Sequence, residues 1–143
     1  MSLVLRIAGF LVLLALVARL ATVRHNARHL AGLGDHRPAF DSLVDAIEER
    51  SGCWVWITSG ARSAEEQGRL ARRDPRNAKP GTSRHESARA IDLNLMCPMA
   101  GMVRKASPLD VWHATGAPAI ARERGFAWGG DIRGYYDPVH FQL

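Results

Sequence analysis

Ile7 to Ala18 is an unbroken apolar run of 12 residues, IAGFLVLLALVA, apolar on every face of a helix. Arg19 interrupts it and Leu20–Val23 resumes it. An arginine near a helix end can snorkel, so the apolar span stretches to about residues 7–23, against the ~20 that cross a bilayer. From Pro38 onward the pattern changes. Phe40, Leu43, Val44 and Ile47 recur at helical spacing and predict an amphipathic helix over 38–50, stopped by Gly52. Cys53–Thr58 reads as a strand, and Ser63-Ala-Glu-Glu66 has capping-box spacing for a helix to about Arg73. Residues 74–83, with Pro75, Pro80 and Gly81, predict an irregular loop. Ala90–Leu95 alternates strictly: Ile91, Leu93 and Leu95 face a core, and Ala90, Asp92 and Asn94 face away. Met96–Ala106 reads as an irregular connection. Ser107 as N-cap, Pro108 at the first position and Asp110 in the first turn then start a helix, broken near Gly116 and Pro118. Phe126–Trp128 is a short strand and Gly129-Gly130 a turn. In the last strand, 138–142, Val139 and Phe141 alternate with His140 and Gln142.

These elements divide the chain into a hydrophobic segment (1–24), a basic linker (25–37) with Gly32 and Gly34, and a folded domain (38–143). The first segment is either a retained signal anchor or a cleaved signal peptide that leaves the domain secreted. Leu16-Val-Ala18 and Arg19-Leu-Ala21 are poor cleavage sites, which favours the anchor. The arginines after the run (Arg19, Arg24, Arg28) outnumber the one before it (Arg6), a bias against exporting the C-terminal domain.

The net charge of +5 raises the question of a nucleic-acid partner. Residues 1–30 hold four arginines and no acid, leaving 15 basic against 14 acidic residues elsewhere. No like-charge block marks a nucleic-acid face, and a membrane is the better partner for the basic N-terminus. Cys53 and Cys97 have no metal-type spacing; they pair in an oxidising compartment and stay buried thiols in the cytosol.

Candidate chemistry lies in two stretches. Ser83-Arg-His-Glu-Ser-Ala-Arg-Ala-Ile-Asp92 sets His85 and Asp92 seven residues apart, and Asp137-Pro-Val-His140 adds a histidine with a carboxylate three residues earlier. Imidazole and carboxylate are both zinc ligands, and three protein ligands leave a position for water. If strands 90–95 and 138–142 are neighbours, Asp92 and His140 converge and His85 closes over them. Asp137 is then a general base, and Arg62, at the end of a strand, can stabilise an oxyanion or hold a substrate carboxylate. His25, His29, His36 and His113 read as solvated or structural.

Ser83-x-His85-x-x-Ala88-x-Ala90-x-Asp92 resembles the S-x-H-x-x-G-x-A-x-D motif of zinc D-Ala-D-Ala carboxypeptidases and L-alanyl-D-glutamate endopeptidases, which cut the peptide stems of peptidoglycan. Ser59-Gly-Ala-Arg62 with Gln67, and Trp128-Gly-Gly-Asp131 with Asp137-x-x-His140-Phe141, resemble two further segments of that family. The resemblance implies an α+β fold, a small antiparallel sheet with flanking helices shared with the hedgehog domain, here preceded by a hydrophobic helix. It implies Zn2+ on His85, Asp92 and His140, with Asp137 and Arg62 catalytic. Gln67, Ser83, Trp128 and Asp131 would contact substrate. The Asp-x-x-His form resembles the endolysin-type endopeptidase branch. The expected enzyme is a monomer, anchored in the inner membrane with its domain in the periplasm or outside. The alternative is an inactive cell-wall-binding module of the same fold. The motif glycine is Ala88 here; an alanine is accommodated if its φ is negative, and a functional site is the expectation.

Overall fold

Two long strands carry the architecture, β1 (Trp54–Ser59) and β2 (Ala90–Cys97). They pair antiparallel with Trp54 opposite Met96. The computed structural model describes residues 3–134 and 136–143, so the first two residues of the hydrophobic segment lie outside it. β5 (His140–Gln142) pairs with β2 at its start, and β4 (Ala127–Trp128) pairs with β5, giving the antiparallel order β1-β2-β5-β4. Ile91, Leu93 and Leu95 are fully buried, as their alternation predicts; Ala90 is buried as well.

The helices are α2 (Arg37–Ser51), α3 (Ala64–Arg73), α4 (Leu109–Ala114) and α5 (Ala117–Glu123). Phe40, Leu43 and Ile47 of α2 are fully or almost fully buried, and Gly52 closes that helix in the left-handed conformation (φ 68°). The capping box of α3 forms in both directions between Ser63 and Glu66. Gly116 (φ 77°) separates α4 from α5, where the sequence predicted a break.

Three local expectations are corrected. Met96–Ala106 is a hairpin, with β3 (Gly101–Val103) folding back on β2. The N-cap of α4 is Pro108, and the Ser107 hydroxyl instead accepts the Arg104 N–H at 3.0 Å. The basic stretch read as a linker is helical: α1 runs unbroken from Leu3 to Ala31.

That helix has two parts. Leu3–Ala18 is exposed throughout, whereas Thr22, Asn26 and Leu30, one stripe at four-residue spacing, are buried against the domain. The stripe runs along the outer edge of β1, whose polar groups would otherwise lack partners. Asn26 donates from Nδ2 to the Val55 carbonyl (2.8 Å) and accepts the Ile57 N–H on Oδ1 (2.9 Å). His25 Nε2 donates to the Ile57 carbonyl (2.7 Å), its ring stacked on Trp56. Glu48 of α2 accepts the Val55 N–H (3.0 Å) while paired with Arg19. A fragment starting at Pro38 would uncover three of these four edge groups.

Cys53 and Cys97 form a disulfide just beyond the Trp54–Met96 pair. The strand register that makes them neighbours is invisible in their 44-residue separation.

Candidate metal centre and catalytic cleft

The register opposing Asp92 to His140 puts both side chains on the same face of neighbouring strands. His85, in the turn before β2, completes the group. His85 Nε2, Asp92 Oδ1 and His140 Nδ1 form a triangle with sides of 3.0, 3.1 and 3.2 Å. The far nitrogen of each imidazole is committed. His85 Nδ1 donates to the Gly60 carbonyl (2.7 Å), and His140 Nε2 donates to Gln142 Oε1 (3.0 Å). With each ring neutral, both near nitrogens present lone pairs to the same point as a carboxylate oxygen. Three acceptors facing one another need a cation or an added proton between them.

A divalent ion fits that need. Zinc at ~2.0–2.1 Å from each donor in tetrahedral geometry sets the donors roughly 3.3 Å apart, close to the triangle found. Without an ion, a proton does the work. Burial disfavours charge on both Asp92 and His140, but their mutual hydrogen bond and attraction overcome it. Asp92 is thereby held well below the usual carboxylate range, with His85 contributing, and His140 is raised above the usual imidazole value. The chain therefore carries a His/Asp/His set able to hold a metal ion.

The supports are built from the quoted motifs. Arg62 reaches Asp92 Oδ2 (2.5 Å) and also donates to Ser59 Oγ (2.9 Å), leaving Oδ1 to face the histidines. Gln67 is buried and donates to the Ala78 carbonyl (2.6 Å), which fixes the 74–83 loop. The Ser83 hydroxyl accepts the His85 N–H (3.3 Å). Gly60 packs so closely on α1 that a Cβ there would lie 2.5 Å from the His29 carbonyl oxygen. α1 thus backs the turn whose carbonyl orients His85.

His85, Asp92, His140, Arg62, Gln67 and Ser83, with Asp137, line one open cleft of about 490 Å³. Asp137 lines the same cleft as His140, whose backbone N–H donates to the Asp137 carbonyl (3.0 Å), and Lys105 Nζ stands 3.1 Å from Asp137 Oδ1. Arg76, Arg84 and Lys105 give the rim a basic character.

Trp128 and Asp131 are not brought into the cleft. Trp128 is 1% exposed in the core and donates to the Pro138 carbonyl (2.8 Å); Asp131 pairs with Arg122 on the surface. Their motif is scaffold: a Cβ on Gly129 would lie 2.1 Å from the Asp137 carbonyl oxygen, so glycine lets the 137–140 segment approach. Ala88 does not meet the condition of a negative φ: its φ is 56°, the one positive value among the described non-glycine residues. It holds the left-handed conformation, which favours glycine, at the position where the resembled motif has glycine. Two contributors escaped the sequence reading. Gln142 was detectable, two residues after His140 on the same strand face. Lys105 had no signal, because its proximity to Asp137 depends on the unpredicted β3 hairpin.

Residues 76–143 match the family described as D-alanyl-D-alanine carboxypeptidase, covering all three metal-ligand candidates. The fold is similar to that of an L-Ala D-Glu endopeptidase from Serratia marcescens, ChiX (TM-score 0.63, 26% identity, 85% of this chain and 87% of that one). It is similar also to VanXYg, a vancomycin-resistance D,D-dipeptidase solved with a D-Ala-D-Ala phosphinate analogue (TM-score 0.54, 25% identity, 77% of this chain and 49% of that one). VanYB, solved with D-alanine-D-alanine, shares the fold at 22% identity (TM-score 0.50, 74% of this chain and 67% of that one). The α+β fold and the resemblance to D-alanyl-D-alanine carboxypeptidases and an L-Ala D-Glu endopeptidase stand on these matches.

Proposed function

From that resemblance, we propose that this chain is a membrane-anchored zinc peptidase that hydrolyses peptide stems of bacterial peptidoglycan. The convergence of His85 Nε2, Asp92 Oδ1 and His140 Nδ1 within 3.2 Å, with both far imidazole nitrogens already committed, carries the reading. Zinc bound there supplies Lewis acidity, making a water ionisable near neutral pH and polarising a carbonyl. Asp137 accepts the proton of the attacking water and returns it to the leaving amine, the general acid–base role its place beside His140 allows. Arg62 acts chiefly by orienting Asp92 and by adding positive charge at the cleft wall. Gln67 and Ser83 hold the loop and the turn that shape the cleft. The basic rim suits the carboxylates of a stem peptide.

The L-Ala–D-Glu bond is the preferred target, because the chain spans most of the endopeptidase it resembles. The retained anchor is supported by Arg19, Thr22, Asn26 and Leu30, which tie α1 to the domain. By length and composition α1 as a whole, Leu3–Ala31, is long and apolar enough to cross a membrane. A location outside the cytoplasm is supported by the Cys53–Cys97 disulfide, which persists in oxidising compartments.

The test is release of free amines from purified peptidoglycan by the full chain, with and without chelator, with mass spectrometry of the products. Chelator-sensitive release supports the peptidase. Intact binding without release, unaltered by Asp137→Ala, would instead support the inactive wall-binding module, to which the positive φ of Ala88 lends its one observation.

A further inference from the structure

The direction of α1 fixes which end of the domain faces the membrane. Arg19 lies over the Trp54 ring (5.8 Å), Asn26 bonds Val55 and Ile57, and His29 packs on Gly60. Helix and strand therefore run parallel, and the exposed apolar part of α1 leaves the domain at the Trp54 end of β1. β2 is antiparallel to β1, with Met96 opposite Trp54, so the β2–β3 hairpin turns at that same end. Its tip, Pro98-Met99-Ala100-Gly101-Met102, is exposed throughout; Met99 is 99% exposed and Met102 56%. The nine residues 95–103 carry no charge. The tip stands one to two strand spacings, ~5–10 Å, from β1, on the side of β1 away from the exiting helix.

We propose that this hairpin tip inserts into the lipid interface beside α1 as a second membrane contact; the inference rests on the reading of α1 as a membrane span. One uncharged loop with two extended methionines, level with the start of the apolar helix, has the chemistry of the headgroup–acyl boundary. Trp54, half-buried beside Arg19 at the same level, has the character of an interfacial aromatic. Helix and hairpin together fix the domain against rotation about the helix axis. The cleft opens at the opposite end of β2: Asp92 lies four residues before Met96, and the tip lies farther still. The site is held roughly 20 Å from the interface along the strand direction.

Lipid photocrosslinking on the full chain in nanodiscs of phosphatidylcholine and phosphatidylglycerol tests this. Met99, Leu11 and Ser87 are each replaced in turn by p-benzoylphenylalanine. Leu11 lies in the exposed apolar part of α1, and Ser87 lies at the cleft end. All three are exposed, so the replacements spare the core. The expected result is lipid adducts at positions 99 and 11, each at least about tenfold above position 87. Adducts at 11 with none above background at 99 would overturn the hairpin contact and leave the anchor standing. No adducts at 11 would overturn the anchor, and the hairpin contact with it.

Discussion

Asn26→Ala is the sharpest perturbation of the way α1 is joined to the domain. Asn26 is 5% exposed, and its two hydrogen bonds, 2.8 and 2.9 Å, go to the edge of β1 at fully buried Val55 and Ile57. Alanine leaves one buried carbonyl and one buried N–H without partners, at ~1–3 kcal/mol each. Alanine's better helix propensity returns about 0.5 kcal/mol. The net loss is about 3 kcal/mol, a large part of the 5–15 kcal/mol typical of a domain, and lowers Tm by roughly 10 °C. Asn26→Asp should do no better than alanine, because it keeps the acceptor for Ile57 but sets a carboxylate against the Val55 carbonyl. The assay is denaturant unfolding of the full chain in mild detergent, with hydrogen exchange read at the Ile57 amide. A loss under about 0.5 kcal/mol with Ile57 protection unchanged would refute the claim that this side chain closes the sheet edge.

Asp137→Ala should cut hydrolysis by about 10²–10⁴-fold while bound zinc stays at one equivalent, checked by amine release and metal analysis on one preparation. Replacing both Cys53 and Cys97 by serine releases a 44-residue loop and should cost up to ~4 kcal/mol, visible as a lowered unfolding midpoint. Ala88→Gly should raise stability by about 0.5 kcal/mol. It relieves ~1–2 kcal/mol of left-handed strain, partly offset by glycine's freedom and the lost methyl packing. A loss above 1 kcal/mol in thermal melts would contradict the backbone reading. In the metal-free chain, Asp92 is depressed and stabilises above its unfolded value near ~4, whereas His140 is raised and stabilises below its unfolded value near ~6.5. Their joint contribution is therefore fullest between about pH 4 and 6.5, fading below as Asp92 protonates and above as His140 loses its proton. Metal uptake has the opposite slope at His140, so zinc affinity by calorimetry should fall as pH drops through the imidazole range.

The chain from Pro38 onward was largely legible because its signals are local. Ser63 and Glu66 lie within one turn, and the alternation over Ala90–Leu95 fixes which face Asp92 takes. The same alternation at His140 places its partner Gln142. What was missed depends on contacts between distant segments. The disulfide follows from strand register, and β3 is three residues entered through a left-handed Gly101 (φ 67°). Trp128 and Asp131 belong to a motif whose work is to seat Gly129 under the 137–140 segment, which residue types alone do not distinguish from substrate contact. The docking of α1 ran against hydrophobic pattern: its buried stripe includes Thr22 and Asn26, while the leucines upstream are exposed. A buried asparagine at a helix–strand contact is chosen for its donor and acceptor, so apolar periodicity does not find it.

The central claim is that His85, Asp92 and His140 hold one zinc ion. Zinc-edge X-ray absorption on the full chain reads it directly, alongside metal content for the protein and for His85→Ala and His140→Ala. The expected result is one equivalent of zinc with two imidazole nitrogens and a carboxylate oxygen at ~2.0–2.1 Å, lost in both variants. Zinc absent from the native chain, or bound equally well by both variants, would contradict it.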